Sequence, residues 1–115
     1  MNELDVITQR IRDFRDACDW KKFHNPKNLA CSIPIESAEL LEHFQWKTPE
    51  ESMVHTVAKR DALSEEIADV GIYLIALADS LGIDLFIAIE RKLAINEAKY
   101  PVGKSKGSAV KYHER

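Results

Sequence analysis

The chain is poor in every feature that would mark a stapled, membrane-bound or nucleic-acid-coating protein. It has two cysteines in 115 residues, Cys18 and Cys31. Neither has metal-ligand spacing or a redox partner motif, which excludes a disulfide framework and a zinc knuckle. With no signal-peptide pattern, both are expected as reduced thiols in a cytoplasmic protein. The longest apolar run, Val70 to Ala78, falls far short of the roughly 20 residues of a membrane span. There is no basic surplus: Lys and Arg number 16 against 19 Asp and Glu, a net charge of −3. That argues against duplex nucleic acid as a partner. No repeat or low-complexity segment occurs, and no segment alternates strictly enough for a half-buried strand. What remains is 45% hydrophobic and 30% charged, the balance of one soluble globular domain with a modest core.

The periodicity that is present is helical. Leu4, Ile7, Ile11, Phe14 and Cys18 recur at helix spacing, with Arg10, Arg12, Asp13, Arg15 and Asp16 between them. This predicts an amphipathic helix over about residues 3–18. A polar loop with aromatics follows, Asp19 to Lys27. Asn28 is expected to cap a second helix over about 29–45, with Pro34 kinking or delaying it. Thr48-Pro49-Glu50-Glu51 reads as a capping box with proline in the first turn. A third helical region runs from there to Leu81, with a break near Thr56, and Gly82 stops it. Asp84 caps a fourth helix, which Pro101 ends at Tyr100. The chain is all-α and four-helix bundle-like over residues 1–101, with a flexible basic tail over 102–115.

Two helical carboxylate pairs carry most of the chemical information: Glu36 with Glu39, and Glu66 with Asp69. Each has i, i+3 spacing, so each pair shares one helix face. The neighbours on those faces are apolar, Leu29, Ile33 and Leu40 for the first and Leu63, Val70 and Leu77 for the second. Ionised carboxylates are expensive on such a face unless a cation meets them. A lone E-x-x-E is usually a solvated face. Two pairs on the apolar sides of the two most apolar helices point instead to a hard divalent ion, Mg²⁺, with Mn²⁺ able to substitute. Glu42 and Glu65 read as surface neighbours.

Other residues are weaker signals. His43 and Tyr73 each follow a carboxylate by one turn; His43 reads equally well as a surface or packed histidine, and a phenol in such a place needs a partner. Lys92, Asn96 and Lys99 share a stripe with Leu85 and Ile89, which suits a polyphosphate or, equally, snorkelling lysines. Trp20, Phe23, His24 and Trp46 lie in loops or at helix ends, where they stack a base or simply plug a core. Helices two and three are apolar on nearly every side, and a chain of this size cannot cover both alone. A homo-oligomer is expected.

At this point the residues resemble the MazG-like nucleoside triphosphate pyrophosphohydrolases of the all-α NTP pyrophosphatase superfamily. Their motif is E-x-x-E, a spacer, then E-x-x-D. Here it is Glu36-x-x-Glu39, 26 residues, then Glu66-x-x-Asp69. The likeness is strongest to the deoxycytidine triphosphate pyrophosphatase branch, through Asp19-Trp20, Phe23-His24, Asn28-Leu29, Phe44-Gln45-Trp46-Lys47, Ile72-Tyr73-Leu74, Ile95-Asn96 and Tyr100-Pro101. Pro34 departs from the smaller residues expected before the first Glu. The resemblance implies hydrolysis of a dNTP to dNMP and pyrophosphate, with Mg²⁺ on Glu36, Glu39, Glu66 and Asp69. It implies a base pocket from Trp20, His24 and Trp46, with Tyr73 and Asn96 near sugar or base. Lys92 and Lys99 would hold the leaving pyrophosphate, joined by tail lysines Lys104, Lys106 or Lys111. It also implies tetramers built as pairs of dimers, acting in nucleotide-pool house-cleaning. The competing readings are the same chemistry on dATP, dUTP, a modified nucleotide or phosphoribosyl-ATP, and a non-catalytic helical interaction module.

Overall fold

The structure is a computed structural model, and it describes residues 1–100 and 102–105. Every regular element among them is a helix: α1 (Glu3–Ala17), α2 (Pro26–Glu42), α3 (Pro49–Ala58), α4 (Arg60–Ser80), α5 (Leu85–Lys99) and α6 (Val102–Ser105), with a 3₁₀ turn at Lys21–Phe23. Residues 102–105 of the expected flexible tail, Lys104 among them, form α6, whereas Pro101 and residues 106–115, with Lys106 and Lys111, lie outside the described residues. The chain divides into two units, Met1–Ile83 and the part from Asp84 onward. No single helix is long and apolar enough to cross a membrane.

Local chemistry explains where the helices begin. At α1 the Asn2 side chain accepts from the Asp5 N–H at 2.8 Å, and the Asp5 carboxylate accepts from the Asn2 N–H at 3.2 Å. At α3 Thr48 and Glu51 make the same reciprocal pair at 3.1 and 2.9 Å. Both are capping boxes. Asp84 caps α5 through the Ile87 N–H at 3.0 Å. The cap of α2 differs from expectation. It is Asn25, whose side chain accepts from the Asn28 N–H at 2.9 Å. Pro26 fits the first turn, where an N–H has no helical partner anyway, so the helix starts ahead of Asn28. The Asn28 side chain instead donates to the Phe23 carbonyl at 2.9 Å and ties the preceding loop down. Pro34 lies inside α2, which runs through it without a break.

Helix ends are equally specific. After α1, the Asp19 N–H donates to the Asp16 carbonyl at 3.1 Å and the Trp20 N–H to that of Arg15 at 2.9 Å. Asp19 takes a φ of 56°. This is a Schellman turn with Asp at the left-handed position that glycine usually fills. It throws Trp20 back against Phe14, with ring centroids 5.5 Å apart at 79°. After α4, Gly82 at φ 67° supports the same turn, with the Ile83 N–H reaching the Ala78 carbonyl at 2.9 Å. The break in the third helical region falls at Lys59, whose φ of −119° and ψ of 31° separate α3 from α4, rather than near Thr56.

Within the first unit α2 lies along α4, and α1 and α3 each pack on α4. Leu29, Leu63 and Ala78 are the buried apolar residues among those described. Burial this sparse leaves large side chains uncovered, among them Met53, Val54 and Val57 on α3 and Ile67 and Leu74 on α4. The pairing of α2 with α4 matters most for the site, because each helix carries one carboxylate pair.

Candidate active site

Glu36 and Glu39 on α2 face Glu66 on α4. Their carboxylate oxygens lie within 4.8 Å of one another, the three-carboxylate group found among the described residues. Glu36 and Glu66 are half-buried and Glu39 is exposed. Asp69 stands outside this tight group and is exposed. The sequence spacing puts all four on two faces; the packing of α2 on α4 draws three of them to one point.

Electrostatics register the crowding. The Glu36 carboxyl is held above the usual carboxylate range, first by loss of solvent, then by the charges of Glu39 and Asp69 and a hydrogen bond shared with Glu39. Glu66 is raised likewise, by loss of solvent, a hydrogen bond with Glu39, and the charges of Glu39 and Asp69, with His43 pulling the other way. Like charges brought together out of water favour the protonated form. A hard cation would reverse that preference. The Oε2 atom of Glu66 is buried and lacks a hydrogen-bond partner, a lone pair free to serve as a ligand. The oxygen-only donor set fits a Mg²⁺- or Mn²⁺-like ion.

Beside the carboxylates, between α1, the loop after it and α4, lies a cavity of about 490 Å³. Phe14, Trp20, His24 and Tyr73 line it, and so does Asp69. Trp20 and His24 stand with ring centroids 6.0 Å apart. The loop holds His24 by backbone bonds from its N–H to the carbonyls of Trp20 at 3.1 Å and Lys21 at 3.2 Å. The His24 Nδ1 atom is buried and unpartnered, so a polar atom sits at this wall with bonding capacity unspent.

Arg10 and Arg15 also line this cavity. The sequence reading placed them on the solvent face of α1. The available signal was their position, since Arg10 precedes Phe14 by one turn and Arg15 follows Ile11 by one turn. Arg15 is partly engaged by Asp16 at 2.9 Å.

Trp46 follows α2 and is 87% exposed, away from the Trp20 cavity within the chain. His43 caps the C-terminus of α2 and meets His55 of α3, a contact the sequence did not suggest. Lys92, Asn96 and Lys99 lie on α5 in the second unit.

Comparison with known proteins agrees with the resemblance carried by the motifs. The model of the MazG-like family matches residues 31–114. dCTP pyrophosphatase 1 of Bos taurus is 41% identical over 111 residues, covering 95% of this chain and 66% of that protein. The Homo sapiens protein of the same name is 40% identical over 113 residues, covering 96% and 66%. The chain thus spans just under two thirds of the length of these curated relatives. A crystal structure of a pyrophosphatase from Archaeoglobus fulgidus DSM 4304 superposes with a TM-score of 0.84 at 44% identity, covering 88% of this chain and 94% of that one. The chain belongs to the MazG-like family.

Proposed function

We propose that this chain hydrolyses deoxynucleoside triphosphates to dNMP and pyrophosphate, with dCTP among the best substrates. The observation that carries the reading is the position of Asp69. It stands on the wall of the aromatic cavity, and its charge bears on both Glu36 and Glu66. A nucleotide with its base among Trp20, His24 and Tyr73 would therefore lead its phosphates to the carboxylates.

Each residue type has a task in that reaction. Water adds to the α-phosphorus, and the bond to the bridging oxygen breaks, releasing pyrophosphate. The step needs alignment and charge neutralisation more than covalent help. Glu36, Glu39 and Glu66, with Asp69 at the edge, would hold Mg²⁺. Such an ion, when bound, would neutralise phosphate charge and acidify water. Glu39 lies against half-buried Glu36 and Glu66 and is the exposed one of the three, so we assign it the orientation or deprotonation of the attacking water. Trp20 offers a stacking face, and His24 Nδ1 a hydrogen-bonding atom for a base edge. Arg10 and Arg15 supply positive charge on the same cavity wall. Lys92, Asn96 and Lys99 remain our candidates for holding pyrophosphate and sugar.

The named relatives support the substrate class: dCTP pyrophosphatases from two mammals and an archaeal pyrophosphatase. The uncovered apolar residues of α3 and α4 support assembly as a homo-oligomer, which we take to be a tetramer. The proposed role is house-cleaning of the cytoplasmic nucleotide pool. The same pocket suits dATP, dUTP or a modified nucleotide, since every base has a stacking face. A nucleotide panel with Mg²⁺, resolving monophosphate plus pyrophosphate from diphosphate plus phosphate, tests the reading. Release of diphosphate, or no turnover of any triphosphate, would overturn it.

A further inference from the structure

His43 and His55 meet in a way that neither the helix caps nor the proposed hydrolysis requires. The Nδ1 of His43 and the Nε2 of His55 are 2.8 Å apart. Both rings are half-buried. Phe44 braces them, with its ring centroid 5.9 Å from that of His55 and 6.4 Å from that of His43. The pair stands on the wall of a cavity of about 410 Å³ that Glu39, Glu42, Glu66 and Lys47 also line. Glu39 and Glu66 belong to the carboxylate cluster, and Glu42 offsets the one ammonium of this wall.

We propose that His43 and His55 form a binding site for a transition-metal ion of the Zn²⁺ type, separate in donor chemistry from the carboxylate cluster. The spacing carries the argument. An ion bonded to two imidazole nitrogens at about 2.0–2.1 Å holds them about 2.9–3.4 Å apart between right-angled and tetrahedral geometry. The observed pair needs only a slight opening. Imidazole nitrogens select Zn²⁺, Ni²⁺ or Cu²⁺, whereas an all-oxygen set suits Mg²⁺. The two sites would therefore fill with different ions.

The proton balance is simple. In the metal-free pair one nitrogen carries the shared proton and the other accepts it. Metal binding at both nitrogens requires that proton to move through solvent to the far nitrogen of its own ring, with no net loss from two neutral rings. His55 is held below the usual histidine range, by loss of solvent first and then by the charges of Lys47, His43 and Lys59. Water and Glu42, the carboxylate of this wall outside the Mg²⁺ cluster, would complete the coordination.

The experiment uses the full wild-type chain in saturating Mg²⁺, so that the carboxylate cluster is already satisfied. Zn²⁺ is titrated while the ring resonances of the four histidines are followed by ¹H–¹⁵N NMR. The expected result is that His43 and His55 shift together and saturate at one equivalent, while His24 and His113 do not follow them. Under the same conditions His55→Gln should weaken Zn²⁺ binding by about tenfold or more, and Glu36→Gln should leave it unchanged. Shifts in no ring, shifts in all four alike, or undiminished Zn²⁺ binding in His55→Gln would overturn the proposal. None of these readouts depends on nucleotide turnover, so failure here leaves the hydrolase reading where it stands.

Discussion

Arg12 of α1 and Asp79 of α4 form a two-point clamp. The Arg12 Nε donates to Asp79 Oδ2 at 2.8 Å, and its Nη2 donates to Oδ1. The pair fixes α1 to α4 on the flank of the aromatic cavity. Hydrogen bonding from Arg12, and then its charge, hold the Asp79 carboxyl below the usual range despite partial loss of solvent. A carboxyl whose pKa is lower folded than unfolded contributes stability above its ordinary pKa. That contribution is lost as pH falls through the folded value. Asp79→Asn should therefore melt below wild type at neutral pH, and the gap should close in acid. Thermal melts across that range check this; a gap that is constant with pH would refute the clamp as a charge effect.

The carboxylate cluster should behave in the opposite sense. Glu36 and Glu66 are raised, so their ionised forms destabilise the metal-free fold above the folded pKa values. That penalty is relieved as pH falls through those values towards the ordinary carboxylate range. Glu66→Gln should raise the metal-free melting temperature at neutral pH, abolish turnover and remove stabilisation by Mg²⁺. Full activity in this variant, or in excess chelator, would end the metal assignment.

Removing the indole of Trp20 should cost stacking of about 1–3 kcal/mol. That corresponds to roughly 5–150-fold weaker nucleotide binding. It should appear mainly in KM if ground and transition states stack alike. His24→Ala should flatten the preference among bases more than it slows turnover. Unchanged constants for Trp20→Ala with every nucleotide would remove the base from this cavity.

The apolar side chains of α3 argue for association. Met53, Val54 and Val57 are 67%, 72% and 81% exposed, too much apolar surface on one short helix for a chain that works alone. Light scattering at micromolar concentration should give a dimer or tetramer mass. Trp46, 87% exposed, should lose solvent contact on assembly, with a matching blue shift of indole fluorescence on concentration from dilute solution. A monomer mass would overturn the assembly.

Much of this was legible in sequence because its causes are local. The Thr48–Glu51 box, the Asp84 cap and the stop at Gly82 each involve groups within a few residues of one another, and all three stand where the pattern puts them. Asn28 misled because two asparagines flank Pro26, and a proline in the first turn favours the earlier one as cap. The break between α3 and α4 was misplaced by three residues, at Lys59 instead of Thr56. No proline or glycine marks it in the sequence.

Sequence alone determined that the chain is helical, that Glu36 pairs with Glu39 and Glu66 with Asp69, and that its motifs are those of the MazG-like family. Helix periodicity sets which neighbours share a face, and that needs no knowledge of the rest of the chain. Tertiary structure alone decided that Glu39 approaches Glu66 while Asp69 faces the aromatic cavity, that Arg10 and Arg15 enter that cavity, and that Arg12 meets Asp79 and His43 meets His55. These contacts depend on the rotation and register of one helix against another. Those are set by side-chain packing across many residues, which no local pattern records.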